Sequence, residues 1–277
     1  MERKNMEQKY VKPTLSRILK PDGKVVMIAL DHARMNGLVN GLHDQKRVIE
    51  AVIEGGADAI MTSYGNIKNF GYLMNGKVSK ILRLDTGASR FTEPWESYTE
   101  WHQVFTVEDA LRLGADGVIT YSFPGLPVDG PTLAAIGRVA AQADKYCIPS
   151  IAEMHACKAE HVADPYSAEV VASESRIASE FGADMVKTDY TGDKESFKLV
   201  TSCCPVPVII AGGDKAATPR DTLQIMRDAM DAGAAGPVFG RQIWQDEHIV
   251  AMTRAIVAIV HGDASVDEAM EVYRQNQ

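Results

Sequence analysis

A lysine stands where a strand should end. Gly182-Ala183-Asp184-Met185-Val186 reads as a buried strand, and Lys187 closes it. Thr191-Gly192-Asp193 reads as the loop that opens the next helix. An ammonium at the end of an apolar strand is costly without a partner or a task. Burial lowers a lysine's pKa, and a neutral amine attacks carbonyls. The residue types at this spot therefore suit Schiff-base chemistry, with a structural ion pair to Asp31 or Asp189 as the alternative. Asp31 ends another apolar run, Met27-Ile28-Ala29-Leu30-Asp31-His32. It is a candidate to orient the amine or move protons, or else a strand-end cap. His32 suits a supporting hydrogen bond as well as catalysis.

The elements that must position these groups announce themselves by repetition. Gly56-Ala57-Asp58-Ala59-Ile60, Gly114-Ala115-Asp116-Gly117-Val118 and Gly182-Ala183-Asp184-Met185-Val186 are one phrase, with a weaker copy at Gly233-Ala234-Ala235-Gly236-Pro237-Val238. Each follows a helical pattern and precedes a strand-like one: a glycine helix stop, a tight turn, a buried parallel strand. The intervals hold about two βα units of roughly 30 residues each, giving eight strands. Strands are expected at 25–31, 59–63, 79–84, 117–121, 148–153, 184–188, 206–211 and 236–240. Helices are expected at 43–54, 107–113, 131–146, 166–181 and 218–232, with 247–260 and 266–274 after the last strand. The fold class is α/β, a (β/α)8 TIM barrel, over a runner-up open doubly wound sheet. Residues 1–277 read as a single domain. Within it, 1–23 form an N-terminal extension whose segment 15–19 caps the barrel, and 246–277 form C-terminal helices. The stretch 85–101 reads as a loop or short insertion.

In a parallel barrel the site lies at the C-terminal ends of the strands. That rule gathers Asp31, Glu153, His155 and Lys187 as candidate catalytic groups. Ala211-Gly212-Gly213 and Gly240-Arg241 follow strands seven and eight, where barrels hold a phosphate on backbone N–H groups. Arg241 would add charge-assisted hydrogen bonds.

Composition narrows the alternatives. The chain has 277 residues, 45% of them hydrophobic, and a net charge of −8. The acidic balance argues against nucleic-acid and anionic-membrane partners. No run of about 18 apolar residues is present to span a membrane. The N-terminus has no signal-peptide core. Cys147, Cys157, Cys203 and Cys204 form no C-x-x-C pair, as expected of reduced thiols in a cytoplasmic protein. No H-E-x-x-H, GxGxxG, P-loop or G-x-S-x-G pattern occurs. Neither a metal nor a cofactor is expected, and a Glu153–His155–His161 metal set is a remote option.

Ala29-Leu30-Asp31-His32, Val186-Lys187-Thr188-x-Tyr190-Thr191-Gly192-Asp193, Pro205-Val206-Pro207-Val208 with Ala211-Gly212-Gly213, and Gly240-Arg241-Gln242-Ile243-Trp244-Gln245 occur in this order. Together they resemble the archaeal-type class I fructose-bisphosphate aldolases, over about residues 24–275. The same superfamily holds a heptulosonate synthase and an autoinducer-processing thiolase. The resemblance implies a (β/α)8 barrel and a homo-oligomer, often a decamer. It matches Lys187 to the Schiff-base lysine, Asp31 to the strand-one aspartate, and Gly212, Gly213, Gly240 and Arg241 to the phosphate loops. It also implies a phosphorylated small-molecule substrate. One departure stands out. The family's proton-relay tyrosine after strand five is replaced here, in Ala152-Glu153-Met154-His155-Ala156-Cys157-Lys158, by His155. Histidine titrates near neutrality and Glu153 would serve if burial raised its pKa, so both stay open. Lys158 is a candidate to depress the Lys187 pKa by like charge. A related synthase or thiolase, a metal-dependent aldolase, and a non-catalytic sugar-phosphate binder are the rival readings.

Overall fold

The computed structural model describes residues 12–91 and 99–277. Eight parallel strands close into a barrel: β1 (Met27–Ala29), β2 (Ala59–Thr62), β3 (Ser79–Arg83), β4 (Gly117–Ser122), β5 (Ser150–Met154), β6 (Met185–Thr188), β7 (Val208–Ala211) and β8 (Gly236–Phe239). Each strand pairs with its sequence neighbours, and β8 closes on β1 through Met27↔Val238. The eightfold barrel expected from the repeats is thus what forms, with most strand ends trimmed by a residue or two and β4 and β5 each running one residue further at the C-terminal end.

The repeated phrase has a physical account. Gly56, Gly114, Gly182 and Gly233 all have positive φ, where a side chain would be strained. Its aspartates tie neighbouring strands together. Asp58 accepts from Val26 N (2.7 Å), Asp116 from Lys80 N (3.0 Å) and Asp184 from Ser150 N (2.8 Å). The fourth copy has Ala235 in that place, and its backbone N–H donates to Val208 O instead (2.7 Å).

Alternation along the strands sorts the apolar residues into two cores. Met27, Ala29, Met61, Ile81, Ile119, Ile151, Met185, Ile209 and Val238 fill the barrel interior. Leu15 and Ile18, around the 3₁₀ turn Pro13–Arg17, join this cluster. Residues 1–11 of the expected extension lie outside the described residues. The opposite strand faces, with Ile28, Ile60, Val186 and Ile210 among them, pack under the surrounding helices.

Two expectations need amendment. The helix Tyr64–Met74 was absent from the sequence reading. Its two glycines and two asparagines weaken the helical signal. The Ser63 cap on Asn66 N and the burial of Ile67 and Met74 carry it instead. The 85–101 stretch begins as structure: Asp85–Thr86 pairs antiparallel with His102–Gln103, and Asp85 and Trp101 are buried. Residues 92–98 of that stretch lie outside the described residues. Helices Ile249–Gly262 and Val266–Gln275 follow β8, in line with the expected C-terminal pair. Among the described residues no helix is long and apolar enough to cross a membrane.

Candidate active site

Two residues beyond the apolar interior layer, the same inward face of the strands turns polar. Ala29 is followed by Asp31, Ile81 by Arg83, Ile119 by Tyr121, Ile151 by Glu153 and Met185 by Lys187. The register aligns Tyr121 with Glu153 and Glu153 with Lys187 across β4, β5 and β6. Period-two alternation therefore builds a ring of functional groups at the C-terminal end of the barrel. Asp31, Tyr121, Glu153 and Lys187 of this ring floor a cavity of about 700 Å³. All eight candidates, Asp31, Glu153, His155, Lys187, Gly212, Gly213, Gly240 and Arg241, line it.

Lys187 is buried, and its ammonium donates to Glu153 Oε1. Its ion-pair partner is therefore Glu153, where the sequence suggested Asp31 or Asp189. Glu153 Oε2 accepts from Arg83 Nη2, so one carboxylate is shared by two cations. Burial would raise the Glu153 pKa; the charges of Arg83 and Lys187 outweigh it and bring it down to about 2. The environment thus opposes the raised pKa that an acid role for Glu153 would need. Asp31 accepts from Arg83 Nε at 3.0 Å. Burial is again outweighed, by Arg83 and Arg34, and its carboxyl lies well below the usual range. The end of β1 is pinned by Thr62 Oγ1 and Asn66 Nδ2, both donating to Leu30 O at 3.3 Å, and by Trp244 Nε1 donating to Ala29 O at 3.0 Å. His32 sits edge-on to Trp244 (5.3 Å between centroids) and 3.7 Å from Asp31. Burial lowers its pKa despite that carboxylate, favouring the neutral ring.

His155 Nδ1 meets Asp189 Oδ2 at 2.6 Å. Burial disfavours the imidazolium, yet the Asp189 hydrogen bond and charge raise its pKa above the ordinary value. The loop carrying His155 is anchored from behind by Glu174, which is buried on the helix Ala168–Glu180. Glu174 accepts from Ala156 N (2.8 Å) and Thr188 Oγ1 (2.6 Å), and burial pushes its pKa up to about 8. Lys158 is exposed and absent from the cavity wall; the cation near Glu153 and Lys187 is Arg83. His161 is also exposed and outside that wall, so Glu153, His155 and His161 are not assembled.

The glycine loops follow β7 and β8, the strands between those of Lys187 and Asp31, and line the same cavity. Gln242 knits them together: its Nε2 donates to Gly212 O (2.8 Å) and Asp214 O (2.6 Å), and its Oε1 accepts from Ala216 N (3.0 Å) and Thr222 Oγ1 (2.7 Å). In a planar trans peptide the N–H opposes the C=O, so Gly213 N–H points away from Gln242. Gly213 has φ +59, and a Cβ at Gly240 would lie 2.7 Å from His32 Cε1. The short helix Arg241–Trp244 opens directly after Gly240. Arg241 pairs with exposed Asp214.

Arg83, Tyr121, Asp189, Glu174 and Gln242 were missed as candidates. Arg83 carried the same signal as Lys187, a charged residue in an apolar strand; Tyr121 shared its inward phase. Asp189 stood out only as a possible partner of Lys187 and Gln242 only as part of the Gly240–Gln245 motif, and nothing local marked Glu174.

Residues 25–246 match the DeoC/LacD family of aldolases. The chain is 38% identical over 256 residues to a 2-amino-3,7-dideoxy-D-threo-hept-6-ulosonate synthase of Halobacterium salinarum, covering 90% of this chain and 91% of that one. It is 32% identical over 259 residues to an uncharacterised aldolase of Saccharolobus solfataricus, covering 91% and 95%. Crystal structures of an archaeal fructose 1,6-bisphosphate aldolase superpose with TM-score 0.82 at 26% identity, over 91% of this chain and 100% of theirs. In one of them the catalytic lysine is covalently bound to the carbinolamine intermediate. A strand-end lysine, a charged ring and facing glycine loops within that matched span place the chain in the DeoC/LacD aldolase family, within the class I Schiff-base superfamily of archaeal fructose-bisphosphate aldolases and heptulosonate synthases.

Proposed function

We propose that the protein is a class I aldolase that cleaves or forms a carbon–carbon bond in a phosphorylated ketose, with fructose 1,6-bisphosphate as the first substrate to test. The observation that carries this reading is Lys187, buried beside Glu153 and facing a cavity that the Gly212-Gly213 and Gly240-Arg241 loops also line.

The neutral Lys187 amine attacks the substrate ketone, and loss of water from the carbinolamine gives a protonated Schiff base. Asp31 orients the carbinolamine and assists its proton movements. His155, oriented by Asp189, takes the proton of the hydroxyl on the carbon that becomes the aldehyde. The carbon–carbon bond breaks, and its electron pair moves into the iminium to give an enamine. The same proton returns to the enamine carbon, and water then releases the product ketone and the free amine. Backbone N–H groups of the glycine loops hold the ketose phosphate and align the scissile bond. Arg241 turns from Asp214 to the phosphate, since a dianion outcompetes an exposed carboxylate.

Borohydride trapping with dihydroxyacetone phosphate and with fructose 1,6-bisphosphate, read by peptide mass spectrometry, tests the reading. A reduced adduct on Lys187, absent in Lys187→Met, is expected. Full cleavage activity in Lys187→Met would sink it.

A second reading is a synthase that transfers the enamine to another acceptor. The 38% identity to the Halobacterium synthase and the histidine in place of the relay tyrosine favour it. Lys187 adducts together with negligible cleavage of fructose 1,6-bisphosphate, and turnover on a panel of aldehyde and ketose acceptors, would select it.

A further inference from the structure

Arg83 is the charge that the reaction scheme leaves without a task. Its side chain is fully buried and does not line the cavity. A guanidinium inside a barrel is costly unless it is fully paired. Its partners are the two carboxylates that share the site with Lys187: Nε donates to Asp31 at 3.0 Å and Nη2 donates to Glu153. Nη1 lies 3.5 Å from Asp85, and the guanidinium stacks 4.0 Å from the Tyr121 ring centroid. Asp85 is itself held by Trp101 Nε1 (2.9 Å) and Tyr121 N (2.6 Å). The fork is thus hydrogen-bonded to carboxylates at Nε and Nη2, with Nη1 in ion-pair range of Asp85 but not hydrogen-bonded, and only arginine has the planar set of donors to serve carboxylates in these directions.

The consequence falls on Glu153. One of its oxygens is committed to Arg83 and the other to Lys187. Around it stand Arg83 on β3, Tyr121 on β4 and Lys187 on β6, with Asp31 and His32 beyond β1 and His155 on its own loop. The two cations in contact with it are the groups that hold its charge. A carboxylate held between them suits a fixed counter-ion to a positive nitrogen, first the ammonium and then the protonated Schiff base at the same atom. It is a poor carrier of protons. His155 differs: its ring lines the cavity and is oriented through Nδ1 by Asp189.

We propose that Arg83 is a positioning residue that locks Glu153 as the permanent counter-ion of the Lys187 nitrogen and thereby leaves the proton relay to His155. A stabilised iminium, where the bond breaks, is the advantage. The His155 half rests on the Schiff-base function proposed above, whereas the Arg83–Glu153 half does not.

The first test needs no substrate. Infrared titration follows the protonated-carboxyl band of Glu153, assigned by its loss in Glu153→Gln. In the wild type Glu153 titrates below the unperturbed value of about 4.3. In Arg83→Gln its midpoint rises by about 1–3 pH units, while Arg83→Lys, which keeps the charge, stays near the wild type. A wild-type midpoint near neutrality, or equal midpoints in wild type and Arg83→Gln, overturns the proposal. Should Arg83→Gln fail to fold, the wild-type midpoint and a second measurement decide. In that measurement the near-neutral limb of the pH–rate profile persists in Glu153→Gln and vanishes in His155→Asn; the reverse pattern overturns it. If no phosphoketose forms an adduct on wild-type Lys187, the functional reading falls, and the infrared titration still judges Arg83.

Discussion

Gln242 tests whether the glycine loops are a built phosphate site or only strand ends. It is buried, and its amide makes four hydrogen bonds, to Gly212 O, Asp214 O, Ala216 N and Thr222 Oγ1. Gln242→Leu keeps the bulk and removes all four. At a net contribution of about 1 kcal/mol per bond, with partial relaxation of the loop toward water, stability should fall by about 2–4 kcal/mol. The loop should then lose the orientation of Gly213. Each 1.4 kcal/mol lost from phosphate binding is about tenfold in affinity, so binding of dihydroxyacetone phosphate should weaken by about 10–100-fold. Calorimetric titration at a temperature where the variant remains folded measures this. Unphosphorylated dihydroxyacetone provides the control: its borohydride trapping rate on Lys187 should stay within about twofold, because none of the four bonds lost reaches Lys187 or its partner Glu153. Equal losses for the phosphorylated and unphosphorylated ketones would refute the reasoning. So would unchanged phosphate-ester affinity in a variant whose melting temperature has dropped.

Other consequences can be checked with purified variants. Glu174 has its pKa raised to about 8 by burial, against 4.5 unperturbed. Over that window the folded state holds a proton that the unfolded state has lost, so this group makes stability fall as pH rises. Glu174→Gln should therefore melt closer to the wild type at pH 5 than at pH 9, where it should be the more stable protein; parallel melting curves at both values would count against it. Protonated His261 donates to Asp58 (2.8 Å) and Asp22 (2.7 Å), and these hydrogen bonds raise its pKa against burial. Its contribution is fully present below the unfolded value of about 6.5 and lost as pH rises through the raised one, so His261→Gln should flatten the pH–melting profile there. A Cβ at Gly236 would sit 1.9 Å from Val25 O at φ +139, whereas one at Gly262 meets nothing within 4 Å. Gly236→Ala should accordingly fail to give folded protein and Gly262→Ala should not; a soluble, normally melting Gly236→Ala would contradict the β1–β8 contact.

The repeats made the architecture legible because they have a local cause. In each repeat a glycine at positive φ ends the helix, in three of the four an aspartate two residues on caps the neighbouring strand, and the apolar strand follows within a few residues. The helix Tyr64–Met74 was hidden because its glycines and asparagines carry little propensity, and burial against the barrel supplies what the sequence lacks. Within the site, Lys187 and Asp31 stood out as charges closing apolar strands. Arg83 had the same standing, but nothing along the chain showed that it would meet carboxylates from β1 and β5.

By itself the amino-acid sequence determined the barrel, the strand ends that carry Lys187 and Asp31, and the glycine loops after strands seven and eight. These depend on alternation, turn glycines and strand order, all of which are local or periodic. Only the tertiary structure decided which charges pair. It gave Lys187 to Glu153 rather than Asp31 or Asp189, put Arg83 between Asp31 and Glu153, set Asp189 against His155, and placed Gln242 behind the loops. The reason is physical. The period of two fixes the face a side chain points to, while the stagger of strands around the barrel fixes its neighbours. A carboxylate's pKa follows from those neighbours, so proton-carrying roles were beyond the reach of residue types alone.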